Sequence, residues 1–326
     1  MQTIRWGVLS TANIALTKLI PAMQQAEHTE VLAISSLSGK AKDTAQELGI
    51  HRAYDRYEEL LNDPDIDAVY IPLPNHLHKN WVEEAARHGK HVLCEKPAGL
   101  TSSEVQEMAA VCHEHDVIFM EAFMYQFHPQ HERVREIIDS GEIGEVKLIK
   151  ASFSFYLDNP DQNIRMYPAK GGGSLYDVGS YCLHVIRKFG NGRVLDVTAR
   201  ASFDLKYEVD TSAAGVITFE TGVLGVFDCS FELNFRHEYE IAGSKGSIKV
   251  PRAFRPDVHD GEGIILVEAG GKVREEKVKG DQYRLEVEHF SQTIREKGIP
   301  FYSAEETLEN MKLIDACYHS IKNHAT

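Results

Sequence analysis

The sequence predicts an α/β protein of two domains, the first built on a mostly parallel sheet and the second on an antiparallel one. Three observations lead there. The chain has 326 residues, more than one hydrophobic core usually holds. From the N-terminus to about residue 125 the apolar period switches repeatedly between strand and helix, the pattern of βα units. Beyond residue 145 runs with partial alternation, separated by turn residues, take over.

Ile4 to Leu9 forms the first predicted strand, followed by a helix over 12–26 that breaks or restarts at Pro21. A second strand covers 30–36, and the helix after it stops at Gly49, where a glycine ends helices readily. A strand at 68–74, a helix at 78–89 and a strand at 91–97 come next. The helix from Thr101 or Ser102, with Glu104 or Glu107 near its start, has the makings of a capped N-terminus. Residues 117–124 close the series, and "HPQHERVREIIDSGEIG" reads as a helix ending at Gly141. In the second half, strands are expected at 146–156 and 194–205, with two around the Thr-Gly turn in 211–233 and two around Ser-Lys-Gly in 237–250. The boundaries are drawn at 1–125 and 126–326, with helices at 281–297 and 303–323 expected to pack back on one of the two domains.

Composition narrows the function. Lys plus Arg number 35 against 49 acidic residues, a formal charge of −14, which argues against broad binding to nucleic acid or anionic membrane. Five scattered cysteines without a CxxC pair read as reduced thiols in a cytoplasmic protein. The N-terminus reads as a strand and turn, and no run approaches the roughly 18 apolar residues of a membrane span. Neither export nor membrane insertion is expected.

"WGVLSTANIA" occupies the place of a dinucleotide-binding turn, after strand one and opening a helix. Ser10, Ala12 and Ala15 stand where glycines are usual. Ser10, Thr11 and Asn13 carry donors for phosphate, and the turn runs on through Ile14. A small polar βα turn without a ligand fits the same residues. At the end of strand two, where an NAD site places an acid on the ribose, Ser36, Ser38 and Lys40 precede the first carboxylate, Asp43. Hydroxyls and a lysine suit a 2′-phosphate, so NADP(H) is expected ahead of NAD(H). The lysine also fits the solvated start of a helix.

Lys96 follows the fourth strand, and ligands gather beyond the carboxyl ends of such strands. Pro97 fixes its own φ and biases Lys96 toward extended backbone, which aims the side chain.

With "EKPAGL", the first turn, "YIPLPNHLHKNW" and "GGGSLYDVGSYCLH" in hand, the chain resembles the Gfo/Idh/MocA oxidoreductases over essentially its whole length. The resemblance implies an N-terminal Rossmann domain and a C-terminal α+β domain with an open, mainly antiparallel sheet. It also implies a nicotinamide cofactor, bordered by Pro72, Pro74, Asn75, His78 and Glu95, and an active-site role for Lys96. A homodimer, or a dimer of dimers, through the outer sheet face follows from the same likeness. Where one branch has a histidine four residues after Asp177, this chain has Tyr181, similar to the branch of D-xylose, dihydrodiol and glucose–fructose oxidoreductases.

A helix over 175–189 would put Asp177, Tyr181 and His184 on one face. Tyr181 is expected to be the acid/base, with Lys96 lowering its phenol from an ordinary value of about 10. Asp177 is expected to orient substrate hydroxyls or Lys96. Tyr125, His128, Arg165, Tyr167 and His184 are the expected pocket residues for a sugar or cyclic polyol, although packing explains Tyr125 and His184 equally well. The two histidines of "PNHLH" lack partners at zinc spacing, and no metal is expected. The leading function is an NADP-dependent sugar or cyclic-diol dehydrogenase. A sugar–sugar oxidoreductase that retains its nucleotide and a non-catalytic nucleotide-sensing regulator are the alternatives.

Overall fold

The computed structural model describes residues 2–323. It divides into two compact units, one running to Met124 and taking in Tyr283–Met311, the other spanning Tyr125–Gln282 and resuming at Lys312.

In the first unit, β1 (Ile4–Leu9) leads through a wide i→i+5 turn at Ala15–Leu19 into α1 (Ile20–Gln25). Then come β2 (Thr29–Ser35), α2 (Ala41–Leu48), β3 (Arg52–Tyr54), α3 (Tyr57–Leu61) and β4 (Ala68–Ile71). The series ends with α4 (Asn75–Arg87), β5 (His91–Glu95), α5 (Ser102–Glu114) and β6 (Phe119–Ala122). The strands pair in the order β3-β2-β1-β4-β5-β6, every pair parallel. Val92, Leu93 and Cys94 in β5 have no exposed surface, as a strand covered on both faces requires. Thr101 caps α5 by accepting from the Glu104 N–H at 3.2 Å, and Glu104 reaches back to the Leu100 N–H at 2.7 Å.

The second unit contains α6 (Gln130–Asp139), β7 (Val146–Tyr156), α7 (Ser180–Gly190), β8 (Val194–Phe203) and β9 (Asp210–Phe219). It continues with β10 (Leu224–Ser230), β11 (Glu232–Gly243), β12 (Gly246–Val250), β13 (Glu262–Ala269) and β14 (Lys272–Lys279). Their order is β14-β13-β12-β11-β7-β10-β9-β8, antiparallel except for the β7–β10 pair. The apolar pattern predicts no strand at β3, β13 or β14. β3 is three residues long. β14 reads KVREEKVK and has no apolar face, because it is an edge strand whose charges discourage pairing with another chain.

Two helices complete the described chain, α8 (Gln282–Glu296) and α9 (Ala304–Asn323). α8 packs on the first sheet, with the Phe290 ring 5.6 Å from that of Trp6 and both side chains fully buried. Among the described residues no helix is long and apolar enough to cross a membrane.

Candidate active site

The direction of strand addition in the first sheet reverses between β1 and β4, so the loops leaving them part at the place where such sheets take ligands. Ser10 to Ile14 follow β1, while Pro72, Pro74 and Asn75 follow β4. Ser10 has φ +120°, a conformation that favours glycine, and its N–H is held by the Ser35 carbonyl at 2.8 Å. Such a backbone costs about 1–3 kcal/mol in a residue with a Cβ. Ser10→Gly should therefore stabilise the unliganded protein by about 1 kcal/mol after the added chain entropy of glycine is subtracted. Thermal unfolding of the two proteins checks it, and a lower midpoint in the variant would contradict the strain.

Thr11 Oγ1 lies 3.3 Å from Ser36 Oγ, which lies 2.8 Å from Ser38 Oγ, so a line of hydroxyls joins the ends of β1 and β2. Lys40 stands exposed just before α2. Small side chains at the turn, hydroxyls beside it and a lysine without an adjacent carboxylate fit a dinucleotide.

The turn after Lys96 is pinned from two sides. Buried His78 places Nδ1 2.9 Å from the Pro97 carbonyl and Nε2 2.7 Å from that of Leu73, bracing the β4 loop against this turn. Burial lowers the pKa of His78, against the pull of those carbonyls. The sequence expectation set His78 against the cofactor, whereas both its ring nitrogens face backbone. From the other side, the Ala98 N–H donates to Glu121 Oε1 at 2.8 Å. Glu95 accepts from the Tyr70 hydroxyl at 2.5 Å. Nearby on α8, Glu286 has no exposed surface, and burial together with the Glu95 charge raises its pKa well above the ordinary carboxyl range.

In the second unit, Tyr181 sits in the first turn of α7, 4% exposed, among the rings of Phe153, Phe254 and Tyr125 at 5.2, 5.4 and 5.6 Å. The helix expected to run unbroken from 175 instead begins with a wide i→i+5 turn at Leu175–Gly179. Such turns recur at functional sites. Buried Asp210 ties that entry down, accepting from the Leu175 N–H at 2.7 Å, Ser174 Oγ at 2.8 Å and Tyr318 Oη at 2.8 Å. Gly173 has φ +121°, and a Cβ there would stand 2.2 Å from Asp210 Oδ1, so only glycine fits.

Asp177 accepts from Arg165 Nε at 2.5 Å, and the pair raises the Arg165 pKa. The charge of Tyr181 bears on the same guanidinium, which gathers Asp177, Arg165 and Tyr181 into one cluster. The four other expected pocket residues are engaged inside the unit. The Tyr125 hydroxyl and His184 Nδ1 hydrogen-bond to each other in the core, and burial holds both rings neutral. His128 Nε2 lies 3.0 Å from the Gly261 carbonyl, and its Nδ1 accepts from the Gln130 N–H. Tyr167 lies exposed and donates to the Asp161 carbonyl at 2.7 Å.

Sequence reasoning missed Tyr70, Glu121, Asp210 and Glu286. For Glu121 a signal was present: it is the lone charge in the apolar run "VIFMEAFM". Asp210 and Glu286 lie in ordinary polar surroundings along the chain.

A reversing parallel sheet, a small polar first turn and a pinned lysine after β5 define an oxidoreductase of the dinucleotide-binding class. Residues 4–123 match the model of an oxidoreductase family with an NAD-binding Rossmann fold, and residues 131–249 match the GFO/IDH/MocA C-terminal domain. The chain is 37% identical to D-xylose 1-dehydrogenase (NADP(+)) 2 of Haloferax volcanii, covering 98% of each sequence. The solved 3-ketoreductase KijD10 of Actinomadura kijaniata, in complex with NADP and TDP-benzene, is 30% identical, covers 98% of each chain and superposes with a TM-score of 0.92. The aldose–aldose oxidoreductase of Caulobacter crescentus, complexed with glycerol, is 25% identical over 99% of this chain and 98% of its own, with a TM-score of 0.92. The chain belongs to the Gfo/Idh/MocA oxidoreductase family.

Proposed function

We propose that this chain is an NADP(H)-dependent oxidoreductase acting on a CH–OH group of a sugar or cyclic diol, with Tyr181 as acid/base assisted by Lys96. The observation that carries the reading is the Lys96 turn, held at Pro97 by His78 and at Ala98 by Glu121. Such bracing suits a side chain that must be aimed. When bound, the nicotinamide ring accepts the hydride in oxidation and returns it in reduction.

In the oxidative direction, Tyr181 takes the proton of the substrate hydroxyl as the carbonyl forms. In reduction it gives that proton to the carbonyl oxygen. Lys96 is proposed to assist by favouring the phenolate form of Tyr181. Asp177 is paired with Arg165 and is therefore a poor base, so it orients substrate hydroxyls instead.

Initial rates with D-xylose, D-glucose and a cyclic trans-diol, each with NADP+ and with NAD+, test the reading. We expect a higher kcat/KM with NADP+. Lys40→Ala should lower the NADP+ value about 10-fold through loss of a charge-assisted phosphate contact, and leave NAD+ unchanged. A wild-type preference for NAD+ would refute the role of Lys40.

The likeness to the aldose–aldose oxidoreductase supports a second reading, in which the nucleotide stays bound and hydride passes between two sugars. Nucleotide absorbance released on denaturing the purified protein separates the two. Assembly as a homodimer or dimer of dimers is proposed through the second sheet, where Val216 and Leu224 are 41% and 42% exposed. Five buried, unpaired cysteines support a reducing, cytoplasmic location.

A further inference from the structure

Glu121 is a carboxyl group placed where a carboxyl group is costly. It is 2% exposed, on the last strand of the first sheet, in register with Cys94 of β5. A buried carboxylate is tolerated only where hydrogen bonds or charges compensate it. Here one compensating bond comes from the Ala98 N–H at 2.8 Å, two residues beyond Lys96. The hydroxyls of Tyr302 and Thr307, from the chain that leads into α9 and from α9 itself, favour its charged form, and so does the Lys96 ammonium. Thus the carboxylate is tied to the backbone of the Lys96 turn and coupled to the Lys96 charge.

We propose that Glu121 is a positioning residue for Lys96: its ionised carboxylate anchors the turn at Ala98 and keeps a countercharge near the ammonium. This inference rests on the reading of Lys96 as an active-site residue. Glu121 touches no reacting atom and acts through the turn.

Burial raises the Glu121 pKa to about 7, despite the opposing hydrogen bonds and the Lys96 charge. Its proton therefore comes and goes near neutrality. The other titratable groups facing this place are Cys94 from β5, Lys96 just beyond that strand, Tyr302 and, across the turn, His78 from α4. Burial raises Cys94 well above its ordinary range and lowers His78 below its own, so neither thiol nor imidazole mimics an acid that loses its proton at about 7.

The test is Glu121→Gln, which keeps the volume and a carbonyl acceptor for Ala98 but removes the charge. In the reductive direction, where Tyr181 must carry its proton and adds no acid limb, wild-type kcat/KM should fall about 10-fold per pH unit below about pH 7. In the variant that limb should vanish, with kcat at pH 8 lowered several-fold and KM for NADPH unchanged. A merely structural residue would move stability and leave the shape of the profile alone. Melting against pH gives a readout independent of turnover. The folded value of about 7 lies above the ordinary glutamate value of about 4.3, so the folded state holds the proton more tightly. Stability should fall as pH rises between those values, and Glu121→Gln should make that fall shallower by one proton's share, the raised carboxyl of Glu286 contributing the same sign in both proteins.

Lys96→Met serves as the companion variant. If it is inactive while Glu121→Gln keeps the acid limb, the inference is overturned and the reading of Lys96 stands. If Lys96→Met turns over normally, both are overturned. A melting slope as steep in Glu121→Gln as in the wild type overturns the assigned titration.

Discussion

Tyr181→Phe should lose two to four orders of magnitude in kcat, roughly the worth of a positioned general acid/base. The substitution removes one oxygen and leaves the ring among Phe153, Phe254 and Tyr125, and circular dichroism checks that the fold is kept. NADPH affinity should stay within about twofold, because the residues proposed for the cofactor belong to the other unit. Single-turnover kinetics with a fluorescence titration of NADPH separates the two effects. A variant that turns over at the wild-type rate would remove Tyr181 from the chemistry. Equal losses in turnover and NADPH affinity would instead mean that the phenol serves binding.

Asp210→Ala should destabilise the second unit by about 3–5 kcal/mol. The side chain is 1% exposed and accepts from three groups: the Leu175 N–H, the Ser174 hydroxyl and the Tyr318 hydroxyl. Leaving a buried donor without an acceptor costs about 1–3 kcal/mol, and the three losses are not additive because the site relaxes around the missing carboxylate. Asp210→Asn keeps an acceptor and should fall between wild type and alanine. Urea unfolding followed by circular dichroism measures the stability. Because Asp210 secures the wide turn that carries Asp177 and leads into α7, the alanine variant should also lose activity under conditions where it remains folded. A loss below 1 kcal/mol would show that the turn forms without this anchor.

Both expectations depend on how far the molecule can be read from its sequence. The parallel sheet was legible because a strand covered on both faces, such as Val92–Cys94, writes itself as an apolar run. Lys96, Asp177 and Tyr181 could be proposed as site residues because each lies in a short motif of fixed spacing. Tyr125, His128 and His184 show the limit of such reading. A polar aromatic or imidazole looks the same in sequence whether it faces a ligand or, as here, bonds within the core. Glu121, Asp210 and Glu286 depend on neighbours brought up by folding: Ala98, Leu175 and Glu95 lie 23, 35 and 191 residues away. No local pattern records such a pairing. β14 was missed for the opposite reason, since its charges serve an edge rather than a core.

The first unit is assembled from two distant stretches of chain, with Phe290 of α8 closing over Trp6 of β1. During synthesis the ribosome delivers β1 at the start and α8 some 280 residues later, a delay of roughly 15–60 s at about 5–20 residues per second. Throughout that interval the indole face of Trp6 has no lid. The unit that begins first thus completes its core only with a helix made after the whole of the second sheet. A fragment ending at Met124 keeps the first turn but lacks the helix that covers Trp6, and should be less stable than the complete unit.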